Sequence, residues 1–118
     1  MRLLVAIAVT WFIASGTARA HEIRSAEIVE FVLACAQERG GASFELINKC
    51  SCQFDRLTEQ LIPADFEAMR AAEKAISIAG ERGSILRDAE DVHRLVARWR
   101  QLSLQTARSC FLPAPLTR

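Results

Sequence analysis

Asn48-Lys49-Cys50-Ser51-Cys52-Gln53-Phe54-Asp55-Arg56-Leu57 carries two thiols and an apolar stripe, and its reading decides the fold. Ile47, Cys50, Phe54, Leu57 and Leu61 recur at steps of three and four residues, the spacing of one helix face. Two residues apart on a helix is about 200° of rotation, so Cys50 and Cys52 point to nearly opposite sides. They are poorly placed to bond to each other, and each should reach a different neighbour. The chain offers two candidates, Cys35 and Cys110. Cys35 shares an apolar stripe with Phe31, and the Gly40-Gly41 turn brings that helix beside the one holding Cys50. The preferred pairing is therefore Cys35–Cys50 with Cys52–Cys110. Exchanging the partners of Cys50 and Cys52 stays open, because either lies a few residues from the turn.

Outward from this stretch the pattern stays helical. Ile28, Phe31, Val32 and Cys35 mark one face of a helix predicted from Ile23 to Arg39. Pro63 stops the Cys50 helix and suits the first turn of the next, where Asp65 and Glu67 complement the positive helix start. That third helix is expected to bury Phe66, Met69, Ala72 and Ile76 and to end at Gly80, with Gly80-Glu81-Arg82-Gly83 as a loop. Asp88 is read as the cap of the longest helix, with Asp91 in the capping-box position. Val92, Leu95, Val96, Trp99, Leu102, Thr106 and Cys110 form its inner stripe, and Trp99 should pack against Phe31 or Phe54. Pro113 and Pro115 end regular structure. No stretch has the alternation and β-branched enrichment of strands.

The expected class is an all-α, small four-helix domain stapled by two disulfides, spanning 21–111, with a tail at 112–118. One tension accompanies it. A simple up-down bundle would put Cys110 at the opposite pole from Cys52. Either the third helix crosses obliquely, or the loop around Gly83 redirects the fourth.

The first 20 residues read as a cleaved signal peptide. Arg2 starts it, Leu3 to Ala14 is almost unbroken apolar sequence, and Ala18-Arg19-Ala20 presents small residues where signal peptidase cuts. Twelve apolar residues fall short of the roughly 20 that a spanning helix needs. No stable membrane anchor is expected after cleavage, and the mature chain should begin at His21. An even cysteine count behind such a leader indicates disulfides in an oxidising compartment. The whole chain has 15 basic and 14 acidic residues, and without Arg2 and Arg19 the basic count falls to 13. That near-neutral balance lacks the basic excess of a nucleic-acid binder.

Sequence offers little chemistry. A Cys-x-Cys pair lacks the two intervening residues, and the preceding strand, of the common redox motif. His21 would join an imidazole to a free α-amine in a copper chelate, but the only further histidine is His93, and no metal site is assigned. Asp88, Glu90 and Asp91 lack the central glycine of a calcium loop. No nucleophile motif or ligand cluster marks an enzyme, so neither catalysis nor a cofactor is expected. Arg94, Arg98, Arg100 and Arg108 make the outer side of the last helix basic, with Glu90 four residues before Arg94 as a pairing partner. These arginines are the candidate docking face for an acidic partner.

The run Asn48-Lys49-Cys50-Ser51-Cys52 with Asp55-Arg56-Leu57 resembles the motif of small secreted four-cysteine proteins of proteobacteria, many from methylotrophs. Gly80-Glu81-Arg82-Gly83 with Arg87-Asp88, and the closing Ser109-Cys110-Phe111, extend the resemblance over most of the mature chain. The resemblance implies a bacterial periplasm and some association with alcohol oxidation by quinone-cofactor enzymes. It brings no functional residues. The expectation is a periplasmic, non-enzymatic accessory or protein-binding module. The alternative is a copper-binding or thiol-redox protein.

Overall fold

A computed structural model describes residues 22–116. The expected signal peptide and His21 lie outside the described residues. Within them the chain is all helical, without a strand: α1 (Ser25–Gln37), α2 (Phe44–Gln60), α3 (Pro63–Ile76), α4 (Glu81–Asp88) and α5 (Glu90–Ser109).

Local chemistry sets most boundaries. Ser43 caps α2, its Oγ accepting from the Leu46 N–H at 3.2 Å. Pro63 opens α3, as its fixed φ and missing donor favour. At the end of α1 the Gly41 N–H reaches the Ala36 carbonyl at 3.0 Å and the Gly40 N–H reaches Gln37 at 3.4 Å. This closure needs a left-handed residue, and Gly40 supplies it at φ 114°.

The expected loop at 80–83 is instead the start of α4, which makes five helices where four were expected. Gly80, at φ 85°, sits immediately before α4 and does not end α3, whose cap is Ser77. Gly83 lies inside α4 because the turn packs tightly there. A Cβ at this position would run into the carbonyl oxygen of Ile78. Arg87 closes the same turn by donating to the carbonyls of Ile78 and Gly80. Asp88 is therefore the last residue of α4, not the cap of α5. Ala89 holds that position with no side-chain bond, and its backbone carbonyl accepts the first α5 hydrogen bond from His93.

This extra helix resolves the tension over Cys110. α4 packs on both α3 and α5, carrying the chain between them, so that α5 lies against α2 and ends beside Cys52. The bridges are Cys35–Cys50 and Cys52–Cys110, each with a Cα separation of 5.9 Å, and no cysteine is free. The preferred pairing is the one formed, and the exchanged one is not.

The core is aromatic. Phe66 sits at its centre, with ring centroids 5.4 Å from Phe54, 5.7 Å from Trp99 and 6.4 Å from Phe31. Trp99 is buried against Phe31 at 6.2 Å as well, in an edge-to-face arrangement that suits the ring quadrupoles. Leu57, Met69, Ala72 and Val96 are buried with them, whereas Ile76 is only half-buried at the end of α3.

Candidate functional site

Two chain segments that sequence left as ends build a concavity beside the aromatic core. Arg39, two residues past α1, donates from Nη1 to the Cys35 carbonyl at 2.9 Å and from Nε to the Pro113 carbonyl at 3.0 Å. The Leu116 N–H donates to the Glu38 carbonyl at 2.8 Å. These bonds pin the segment after α5 against the end of α1. Between that segment, α1 and α5 lies an open groove of about 610 Å³.

Its floor is lined by the buried aromatic residues Phe31 and Trp99, together with Leu104 and Ala107 of α5. Gln53 reaches in from α2, anchored by donation from its Nε2 to the Ser103 carbonyl at 3.0 Å. Arg70 enters from α3 and lies over the Phe31 ring at 5.6 Å and the Trp99 ring at 5.5 Å, a cation–π seat inside the bundle. Arg70 Nε and Ser103 Oγ are both buried without a hydrogen-bond partner, and both residues line the groove.

The groove's charges divide into two sets. Arg39 pairs with Glu38 at 3.5 Å, and Arg70 pairs with Glu73 while also facing Glu30 at 3.8 Å. Arg100 and Arg108 also line the groove, and neither has an ion-pair partner among the described residues. Two guanidinium charges therefore stand uncompensated above an apolar floor. Such a site suits an anion with an apolar body.

The four candidate arginines do not share one face. Arg98 and Arg100 are separated by about 200° around α5, so only one of them can look into the groove. Arg94 and Arg98 are exposed outside its lining, and Arg94 is held by Asp91 rather than by Glu90. His93 is exposed on the same helix. Among the described residues no cluster of histidine, cysteine, aspartate and glutamate could hold a metal ion. No helix of the described residues is long and apolar enough to cross a membrane. The two closed disulfides point to an oxidising, extracytoplasmic compartment.

Sequence reasoning missed Arg39, Arg70, Gln53 and Ser103 as members of this site. Gln53 and Arg70 each interrupt an apolar helix face with a polar side chain, a signal that could have marked them. Arg39 and the tail carry no such signal, because no periodicity says where an irregular segment folds back. No protein-family model matches the chain, and neither does any curated protein or solved structure.

Proposed function

We propose that this chain is a secreted, periplasmic, non-enzymatic accessory protein that docks an acidic segment of a partner protein. One observation carries the reading: the unpaired guanidinium groups of Arg100 and Arg108 flank an apolar groove on a framework held by two disulfides. A rigid, preformed surface reduces the ordering cost of binding, and complementary charge steers the encounter. The leader at 1–20 accounts for export, and the resemblance to four-cysteine proteins of methylotrophs suggests a partner in a periplasmic alcohol-oxidation system.

The test uses secreted protein, whose amino terminus by mass should be His21, as bait in periplasmic extract. A partner should be retained by the native protein and lost when Arg100 and Arg108 are both reversed to glutamate. Reversing Arg94 and Arg98 instead should leave retention largely intact. Capture that survives reversal of Arg100 and Arg108 would remove the groove from the reading.

A further inference from the structure

Arg100 and Arg108 are eight residues apart on α5, which places their Cα atoms about 12 Å apart along the helix axis. Leu104 lies midway, 60% exposed, and Ala107 continues the apolar strip toward Arg108. The order along the groove is thus cation, apolar contact, cation. An extended peptide rises about 3.3 Å per residue, so residues four apart span about 13 Å. Residues i, i+2 and i+4 of an extended segment also point to the same side. The two periods coincide.

Resting on the docking reading above, we infer that the groove recognises an extended peptide segment of the form acidic-x-apolar-x-acidic. Its two carboxylates engage Arg100 and Arg108, and its central apolar side chain covers Leu104. Other charges nearby do not compete for this role. The Arg39 side chain is 8% exposed and committed to the Pro113 and Cys35 carbonyls, and the Arg70 side chain is 11% exposed and committed to Glu73 and the two rings. The open groove, continuous with an exposed leucine, suits a chain passing along α5 better than an enclosed small molecule. Hydrogen bonds between ionised partners add geometric selection to the attraction, and the exposed setting makes binding sensitive to salt.

Fluorescence anisotropy of dye-labelled, capped Glu-Ser-Leu-Ser-Glu with the full secreted protein tests the inference. Replacing either glutamate by glutamine should weaken binding about tenfold, roughly one charge-assisted contact. Arg100→Gln and Arg108→Gln should each cost about the same. Each variant should also lose sensitivity to one glutamate while keeping sensitivity to the other. A peptide with its glutamates only two residues apart should bind like a singly charged one. Equal affinity for the single-acid or shortened peptides would overturn the two-anchor geometry. If no acidic peptide binds while partner capture still depends on the two arginines, the peptide form is wrong and docking stands. If phenylacetate binds with one-to-one stoichiometry and the peptides do not, the groove is a small-carboxylate site and the inference fails. Capture indifferent to both arginines would sink the docking reading itself.

Discussion

Phe111 occupies a backbone conformation that glycine normally takes. α5 ends with the Leu112 N–H bonded to the Ala107 carbonyl at 3.0 Å and the Phe111 N–H bonded to Arg108 at 3.2 Å. This is the same closure seen after α1, where Gly40 holds the left-handed position. Phe111 holds it here at φ 55° and is 82% exposed. A left-handed residue with a side chain costs about 1–2 kcal/mol, partly offset in a glycine variant by the greater freedom of its unfolded chain. Phe111→Gly should therefore leave stability unchanged or raise it by up to about 1 kcal/mol, read as a urea midpoint. A clear loss would mean that the Phe111 ring packs in solution. Sequence could not show this inversion of residue preference. Ser109-Cys110-Phe111 reads as an ordinary helix end, and only the turn bonds reveal which residue bends left.

Between elements, charge joins α1 to α3. Lys74 Nζ lies 2.7 Å from Glu30 Oε1 and 3.8 Å from Glu27, beside Arg70. The hydrogen bond from Lys74, reinforced by its positive field, holds the Glu30 carboxyl below its ordinary value. A carboxyl with a lowered folded pKa adds stability above its unfolded pKa, about 4.3 for glutamate, and loses it as pH falls through the lowered value. The melting temperature should thus drop as pH falls from 6 toward 3, and Glu30→Gln should drop less over that window. Parallel curves would show that the exposed pair contributes nothing, as many surface pairs do. The helix faces were legible because three- and four-residue spacing is local: Phe31, Phe54, Phe66 and Trp99 are all buried where the stripes placed them. α4 was not legible. Its eight residues bury little apolar surface of their own, and two glycines within four residues read as a loop.

For the whole molecule, the two bridges constrain loops of different length. Cys35–Cys50 closes a separation of 15 residues and Cys52–Cys110 one of 58. Chain-entropy reasoning gives about 3 kcal/mol for the first and about 4 kcal/mol for the second, since the longer loop restrains more of the unfolded ensemble. Replacing Cys52 and Cys110 together with alanine should lower the urea midpoint further than replacing Cys35 and Cys50. The reverse order would show that burial of Cys50, which is fully enclosed, outweighs loop entropy. The long bridge also holds the end of α5 on α2, from where the chain returns to Arg39. The groove should suffer more from its loss than from loss of the short one.

The sequence alone determined the helical class, the buried stripes and the separation of Cys50 from Cys52, because each follows from the pitch of one helix. It also confined Cys50 and Cys52 to different partners. Tertiary structure decided which partner each took, the presence of α4, and the division of the α5 arginines between groove and open surface. It alone brought Arg39 to Pro113 and Arg70 over two aromatic rings. Those outcomes depend on how separate helices cross and where an irregular tail lands, and both are set by packing between residues far apart in the chain. Periodicity reports which face of a helix is buried; only the assembled bundle shows what that face meets.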